Sequence, residues 1–414
     1  MRKIIFATYL VAFTLGLVWG GSNIMLQIYA YSLGASYFEI SLISSLFSLT
    51  MGFAQPIWGM LSDIIRKRKI FITLNGFLSV PIYLLLSYPN VWVIIILRIL
   101  WAAIVSGIPV ITLVIITSIV SKEKVGSWTG GFYSLNMFGF SAGMFTQGIL
   151  YDIYGPFQTL FVYAIIFVLS IILFFILVDE KVIPTGVENI QSVKRERTSQ
   201  LLSIAIFSRF TALKKGGKIT IIFFIILLLM LGQGIMIGLL PIYMVESGLS
   251  NTYIGIIFSF LSLVGVFTST IFGYLSDKIG RKMVLITGSL CFVAGSTILV
   301  ILEPTIINFT LATITYGLGY SAINAAGPAY LSDITAIEDR GGAIGLFNSA
   351  SSLGWGIGPI FSGIIATISG EITSTFVTSA VVCVFDTTLM VVFLKESLKK
   401  KASLGVKENY DTSH

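Results

Sequence analysis

The sequence predicts an all-α integral membrane protein with twelve transmembrane helices, arranged as two six-helix bundles in parallel orientation. Three observations lead to this prediction: the hydropathy of the chain, the distribution of its basic residues and an internal repeat. The mean hydropathy is +0.95, and of the 414 residues 56 % are hydrophobic and 11 % are charged. This is more apolar than a water-soluble core needs, and apolar runs near or above roughly 18 residues recur along the chain. The runs are continuous rather than alternating, which excludes a β-barrel.

The apolar runs also place the individual helices. The first run follows Arg2 and Lys3, as the apolar part of a signal peptide would. It is too long for a signal peptide and lacks a small-residue cleavage site, so we expect it to remain as the first span. The predicted helices are 4–29, 38–62, 70–87, 91–118, 126–149, 157–178, 219–245, 252–275, 283–301, 306–333, 341–367 and 373–394.

The basic residues test this helix count, because Lys and Arg concentrate in the cytoplasmic loops of membrane proteins. Of the 26 Lys and Arg residues, 25 fall at the two ends of the chain or in the loops after helices two, four, six, eight and ten. The opposite loops contain none, although they contain acids such as Asp152 and Glu246. The pattern predicts a multi-pass protein of the cell membrane with both termini in the cytoplasm. The net charge of +7 is then a topology signal, and no nucleic-acid partner is expected.

The two halves of the chain align with each other when position 26 is placed on position 240. Residues 26–49 and 240–263 then share ten identities without a gap. The same shift brings the polar stretch GMLSDIIRKRKIF at 59–71 onto GYLSDKIGRKMVL at 273–285. An even number of helices in each half keeps both stretches on the cytoplasmic side, so the repeat is parallel. The predicted parts are an N-terminal bundle at 1–178, a cytoplasmic linker at 179–218, a C-terminal bundle at 219–395 and a cytoplasmic tail at 396–414.

The linker is the only long loop and is rich in charge. Within it, the stretch LLSIAIFSRFTAL has apolar residues at helical spacing, with Arg209 on the other side. This pattern is typical of a helix that lies along the inner membrane surface. A largely disordered tether is the alternative.

The polar stretch GYLSDKIGRK resembles the signature of the major facilitator superfamily, whose members include twelve-helix secondary transporters. The segment EDRGGAIGLFNSASSLGWGIGP at 338–359 is similar to the family's sequence at the start of the eleventh helix. Together with the repeat, the resemblance covers essentially the whole chain. The N-terminal copy departs from it at Arg66, where the signature has a glycine. The signature positions of the C-terminal copy are Gly273, Leu275, Asp277, Gly280, Arg281 and Lys282.

The resemblance implies that the two polar stretches form an inner gate. An acid at a helix end can bind the N-terminus of a neighbouring helix, where the partial positive charge favours an anion. By this resemblance Asp63 binds the start of the eleventh helix, near Gly341. Asp277 likewise binds the start of the fifth, near Gly126; the alternative is that these charges only set topology. The predicted gate residues, in which Glu338 and Arg340 form a network with Arg281, are Gly59, Asp63, Arg66, Lys67, Gly273, Asp277, Gly280, Arg281, Glu338 and Arg340.

Polar residues deep in apolar helices mark a candidate substrate pathway, since they are costly in hydrocarbon unless they face a cavity or each other. Asn23 and Gln27 are four residues apart and therefore share one face of the first helix. The family places helices one, four, seven and ten around the pathway, with five and eleven beside them. For each residue a helix-to-helix hydrogen bond is the alternative. The candidates are Asn23, Gln27, Arg98, Asn136, Gln233, Asn324 and Asn348.

Arg98 is the one basic residue outside the cytoplasmic loops. It lies about 10 Å inside the outer end of the fourth helix, where an unpaired cation costs several kcal/mol. It matches an arginine that many family members carry in this helix, but Trp101 and Ala102 replace the glutamine and glycine that usually follow. The resemblance leaves three roles open: binding an anionic group, coupling to protons, or hydrogen bonding to backbone carbonyls. Its repeat-related position is Ala312, so the fold itself does not demand an arginine.

Asp386 in the twelfth helix is the only acid well inside an apolar helix. A buried carboxyl group of this kind is a candidate for coupling transport to protons. The twelfth helix is peripheral in the family, so a structural role is the alternative.

These features predict a secondary transporter that moves a small organic solute by alternating access, as a uniporter or a proton symporter. A drug/proton efflux antiporter is the alternative, although that branch of the family has Gly-x-x-x-Gly-Pro in helix five where this chain reads GFSAGMFTQG. A membrane sensor is a more distant alternative, because the spans leave no room for a sizeable soluble domain. No enzyme, metal or cofactor is expected, since the one histidine is His414 and Cys291 and Cys383 lie singly in different helices. The expected partners are a small-molecule substrate, protons and the lipid bilayer. The protein is expected to be a monomer.

Overall fold

The structure is a computed structural model that describes residues 2–65, 67–121, 124–180, 217–335 and 340–397, with only the backbone at 217–219, 340 and 341. Within these ranges the regular elements are helices. They are α1 (Arg2–Ser32), α2 (Tyr37–Ile65), α3 (Arg68–Leu85), α4 (Val91–Val105), α5 (Gly107–Ile119), α6 (Val125–Leu177), α7 (Gly217–Glu246), α8 (Asn251–Ile279), α9 (Arg281–Ile301), α10 (Ile306–Ile334), α11 (Arg340–Ser369) and α12 (Thr373–Phe393).

The structure joins two of the predicted spans into one long helix and divides another predicted span in two. α6 is 53 residues long, or about 80 Å, which is far more than the roughly 30 Å of a bilayer core. The helix turns at Gly155, which has a φ of 80° and precedes Pro156. It therefore forms two spans, at 125–154 and 156–177. The predicted helix 91–118 is instead broken at Ser106, because Pro109 has no N–H to donate to the Val105 carbonyl.

With α4 and α5 counted as one span and α6 as two, the described part of the chain has the twelve spans that the sequence predicts. The two halves also repeat at the level of the backbone. α2 and α8 are both 29 residues long, and the shift found in the sequence places one on the other. The turns before them contain Gly34 with a φ of 82° and Gly248 with a φ of 84°. The fold of two parallel-related bundles is therefore confirmed.

Glycines let the helices inside each half approach closely. In the N-terminal half, a Cβ at Gly16 of α1 would overlap the backbone carbonyl of Asn136 on α6. In the C-terminal half, a Cβ at Gly358 of α11 would lie 2.7 Å from the Cα of Gly234 on α7. Close backbone approach through small residues is how membrane helices gain packing energy without a hydrophobic driving force between them.

The two halves meet along two seams, α6 with α8 and α2 with α11. We call the side of the protein that carries the α2–α3 and α8–α9 turns the hairpin side, and the other side the opposite side. Between the halves, the surface helix predicted in the linker lies outside the described residues, as does most of the tail. The exact boundaries predicted for the two bundles, the linker and the tail stay predictions.

Candidate functional site

Arg98 is buried inside the N-terminal half, with 1 % of its surface exposed. Its Nη1 donates a hydrogen bond of 3.0 Å to Ser22 Oγ on α1, and the Ser22 hydroxyl donates in turn to the Val18 carbonyl. The Nε has no hydrogen-bond partner. Among the described residues, no carboxylate lies within ion-pairing distance of the guanidinium. The structure therefore contains a buried cation with a free donor and no counter-ion.

Aromatic rings cover this cation. The guanidinium carbon lies 4.0 Å from the ring centre of Phe47 and 5.0 Å from that of Trp101. Phe47 stacks on Trp101 at 5.7 Å, and Trp19 meets Phe47 edge-on at 6.3 Å. A cation over a desolvated ring gains up to about 2 kcal/mol. This gain offsets only part of the cost of burial, so the group retains affinity for an anion.

Three glutamine amides are buried in the described helices without a full set of partners. Gln27 on α1 is 4 % exposed, and Gln147 on α6 and Gln233 on α7 are completely buried. Neither amide atom of Gln147 or Gln233 has a hydrogen-bond partner, nor does Oε1 of Gln27. Burying a polar group without a partner costs about 1–3 kcal/mol. Such groups mark a place where a polar ligand can be bound.

Sequence reasoning missed Gln147, although the register of α1 and α6 shows why it matters. Gly16 faces the Asn136 carbonyl, and Gly20, one turn further along, faces the Phe140 carbonyl. The two helices therefore keep a constant register, which places Gln147 opposite Gln27. The hydropathy of α6 alone could not reveal this pairing, since it depends on which helix lies alongside.

The other predicted pathway residues have different environments. Asn136 donates a hydrogen bond of 2.8 Å from Nδ2 to the Ala12 carbonyl, which links α6 to α1. Asn324 is exposed and donates to the Tyr320 carbonyl at 2.9 Å. Asn348 is exposed and Asn23 is half-buried. For Asn136 the observed bond is the helix-to-helix alternative that the sequence leaves open.

On the hairpin side, the two signature acids pair within their own half. Asp63 lies 3.4 Å from Arg68, and Asp277 pairs with Arg281. Arg281 also lies 3.3 Å from Asp333 at the end of α10. The predicted bonds from Asp63 and Asp277 to the starts of α11 and α6 stay predictions, because the glycine near the start of α6, Gly126, faces open space here.

The remaining predicted gate residues are distributed as follows. Gly280 has a φ of 113°, a conformation that favours glycine. Its counterpart Arg66 lies outside the described residues, as does Glu338, and only the backbone of Arg340 is described. Gly273 faces open space, Gly59 packs against α5, and Lys67 is an exposed residue directly before α3.

A repeated acid caps the third helix of each half, which sequence reasoning also missed. Glu180 accepts a hydrogen bond of 2.9 Å from the backbone N–H of Lys69. Glu396 accepts bonds from the backbone N–H groups of Arg281 at 2.9 Å and Lys282 at 3.2 Å. An acid at a helix N-terminus is favoured by the unsatisfied N–H groups there. These contacts tie the end of each half to its own hairpin.

On the opposite side, two acids join the halves to each other. The Asp152 carboxylate accepts hydrogen bonds from Asn251 Nδ2 at 2.7 Å and from the Thr252 backbone N–H and hydroxyl at 2.8 and 2.7 Å. Asp152 lies on α6 and caps the N-terminus of α8. Glu246 Oε1 at the end of α7 accepts hydrogen bonds from the hydroxyls of Tyr31 at 3.1 Å and Tyr37 at 2.7 Å.

The α6–α8 seam is tight at the opposite side and open at the hairpin side. A Cβ at Gly148 would overlap the Asn251 carbonyl, and Ser141 Oγ donates to the Ser259 carbonyl at 3.1 Å. Towards the hairpin side, a Cβ at Gly130 or Gly273 would meet no atom within 4 Å. The contacts between α6 and α8 therefore loosen towards the hairpin side.

Asp386 lies in the C-terminal half, between α12 and α9, and is fully buried. It is thus separate from Arg98, which lies in the other half. Among the described residues there is no group of three or more His, Cys, Asp and Glu side chains placed to bind a metal ion.

Comparison with known proteins agrees with this architecture. The family model described as Major Facilitator Superfamily matches residues 8–213 and 222–409. The chain belongs to the major facilitator superfamily. An uncharacterized MFS-type transporter of Methanocaldococcus jannaschii is 26 % identical over 89 % of this chain and 93 % of its own length. Multidrug resistance protein MdtG of Proteus mirabilis is 27 % identical over 68 % of this chain and 67 % of its own length.

Solved structures share the superfamily fold. A mutant of the nucleoside transporter NupG has a TM-score of 0.81 at 15 % identity, covering 95 % of this chain and 100 % of that one. A bacterial homologue of the human lysosomal transporter Spinster, in an inward-facing and unoccupied conformation, has a TM-score of 0.75 at 12 % identity, covering 95 % and 96 %. The predicted family, fold and small-solute transport are confirmed, and the protein is a membrane protein of many spans.

Proposed function

We propose that this transporter moves a small organic solute with an anionic group, and that Arg98 binds this group. The observation that supports the proposal is the guanidinium itself, which is 1 % exposed, has a free Nε and has no carboxylate partner in the described residues. Charge-assisted hydrogen bonds to an anion are about twice as strong as neutral ones. A carboxylate or phosphate cargo would recover the cost of keeping this cation in the membrane. To reach it, the cargo has to displace Phe47 or Trp101.

The cargo reaches the site by alternating access. We place the hairpin side in the cytoplasm because the basic residues lie there, so we infer that the loose end of the seam faces inward. Asp152 and Glu246 then keep the outer side closed. In the outward-facing state the hairpins approach the starts of α6 and α11, where Asp277 and Asp63 bind. We infer that the protein works in the cell membrane as a monomer with both termini in the cytoplasm.

Thermal unfolding of the detergent-purified protein against a panel of carboxylates, phosphates, sugars, nucleosides and cationic drugs tests the cargo class. A ligand at 100 times its dissociation constant stabilises by about 2.7 kcal/mol. We expect stabilisation by one anionic class, lost in Arg98→Met and retained in Lys3→Ala, an exposed control. Arg98→Lys keeps the charge but loses the planar fork, so it should retain weak binding. Stabilisation by neutral or cationic compounds that Arg98→Met leaves unchanged would contradict the proposal.

A drug/proton efflux antiporter is the second candidate. It is favoured by relatives such as Multidrug resistance protein 2 of Bacillus subtilis, which is 32 % identical over 41 % of this chain and 41 % of its own length. A cationic drug needs an acid near its binding site, and none lies beside Arg98 in the described residues. The two candidates are separated by measuring how much of a cationic dye accumulates in cells with and without the transporter. Only a drug antiporter lowers this accumulation.

A further inference from the structure

Asp386 is a buried carboxylate that the Arg98 site does not use. It has no exposed surface. Its Oδ2 accepts only a long hydrogen bond of 3.4 Å from Ser289 Oγ on α9, and its Oδ1 has no partner. Among the described residues, no basic side chain pairs with it. An ionised carboxylate in this position would carry a large desolvation cost without compensation.

Three further oxygen atoms lie beside this carboxylate or beside its hydrogen-bond partner Ser289. Ser289 Oγ lies 2.8 Å from Thr387 Oγ1 and 3.4 Å from the Cys383 carbonyl oxygen. Thr387 Oγ1 donates to the same carbonyl at 2.7 Å. One carboxylate, two hydroxyls and one carbonyl are thus linked by oxygen–oxygen contacts of 2.7 to 3.4 Å. Oxygen ligands of these kinds are what hard cations prefer.

The charge of the site selects a monovalent cation. One carboxylate neutralises one positive charge, whereas a divalent ion would leave an uncompensated charge in hydrocarbon. The other titratable group at this position is the thiol of Cys383, which lies against Gly232 on α7. A neutral thiol adds no charge, so the site balances a single positive charge.

The fold does not require a polar group at this place. Gly155 and Gly370, with φ values of 80° and 77°, are equivalent corners of the two halves. The offset between these corners also relates Asp386 to Ile171, which is fully buried and packs over Gly76 of α3. An isoleucine therefore fills this position in the N-terminal half, and the acid in the C-terminal half has a role other than packing.

We propose that Asp386, Ser289, Thr387 and the Cys383 carbonyl bind one monovalent cation, a proton or Na⁺. This inference rests on the proposed transport function, in which the bound cation is the coupling ion. The site connects to the central helices, because Ser379 on α12 donates a hydrogen bond of 2.7 Å to the Gly232 carbonyl, next to Gln233. A change at Asp386 can therefore reach α7 through one packed contact.

The test compares wild type with Asp386→Asn and with Ser296→Ala. Ser296 pairs with Ser379 across the same α9–α12 seam at 3.0 Å, without a carboxylate, and is the matched control. Purified protein is heated in buffers where NaCl replaces choline chloride at constant ionic strength, without cargo. If Na⁺ is the ligand, its addition gives a saturable rise in the unfolding temperature for wild type and Ser296→Ala and none for Asp386→Asn.

A second measurement covers the proton. If the ligand is a proton, wild type at neutral pH has an infrared carbonyl band of a protonated carboxylic acid that Asp386→Asn lacks, and Na⁺ has no effect. Should Asp386→Asn not fold, Ser289→Ala replaces it, with an expected loss in apparent Na⁺ affinity of about tenfold or more, or a shifted carboxylic-acid band. The proposal is overturned if neither signal depends on these residues. Anion binding at Arg98 in that case would leave the cargo proposal intact.

Discussion

The opposite side and the hairpin side of this protein both place acids at helix ends, but the acids have different partners. On the opposite side Asp152 of one half caps α8 of the other. On the hairpin side Asp63 and Asp277 pair with arginines of their own half. We therefore propose that the state of the transporter depends on which partner each acid has, and not on how many charges each side carries. Three changes at the opposite side test this difference.

The largest expected effect comes from filling the tight part of the α6–α8 seam. Gly148→Val places side-chain atoms where the Asn251 carbonyl lies, and overpacking of this kind costs about 1–3 kcal/mol. We expect the opposite side to open. The measurement is cross-linking of Ser141→Cys to Ser259→Cys, with Cys291 and Cys383 replaced by serine, which should become slower. Gly130→Val on the same helix faces open space and should leave the rate unchanged; equal effects of the two would contradict a one-sided closure.

A smaller effect is expected from the cap on α8. Asp152→Asn keeps the shape of the side chain but loses the negative charge that three donors share. Hydrogen bonds to charged groups contribute about 1.5–3 kcal/mol and neutral ones about 0.5–1.5 kcal/mol, so closure of the opposite side should weaken by about 1–1.5 kcal/mol. The same cross-link reports it. Glu303→Gln is the matched control, because Glu303 is an exposed acid on the same side, between α9 and α10. If Glu303→Gln altered the cross-link as much as Asp152→Asn, the assignment of the latch would be wrong.

The smallest effect is expected at Glu246. Glu246→Gln removes the charge that accepts from Tyr31 and Tyr37 but keeps an oxygen acceptor. Because these groups are exposed to solvent, we expect a loss of closure of about 0.5–1 kcal/mol. Labelling of the Ser259→Cys variant with a membrane-impermeant maleimide should increase slightly. Tyr37→Phe should reproduce most of this increase in labelling. If Glu246→Gln increased the labelling more than Asp152→Asn does, Glu246 and not Asp152 would contribute more to the closure.

Much of the fold could be predicted from the sequence because its causes are local or periodic. Apolar runs predict the spans, and basic residues predict their orientation. One constant shift along the chain predicts the repeat. The break at Ser106 was missed, since Pro109 acts through a single backbone group that does not change the hydropathy of a run. The corner at Gly155 lies in the gap between the predicted helices 126–149 and 157–178.

The site was less predictable, because its contacts join distant parts of the chain. Arg98 was found from its cost in an apolar helix. Asp152 and Gln147 were not, since their importance depends on α8 and α1 lying alongside. Glu180 and Glu396 could have been found, because they follow the last helix of each half at nearly the same offset as the repeat.

The corner at Gly155 gives the closure of the opposite side a mechanical property. α6 passes from one span to the next without a flexible loop, so Asp152, just before the corner, is attached to a stiff lever. Its carboxylate cannot follow α8 when the two halves separate, since no slack chain exists to extend. We therefore expect its three bonds to Asn251 and Thr252 to break in one step, so that closure of this side behaves as an all-or-none switch.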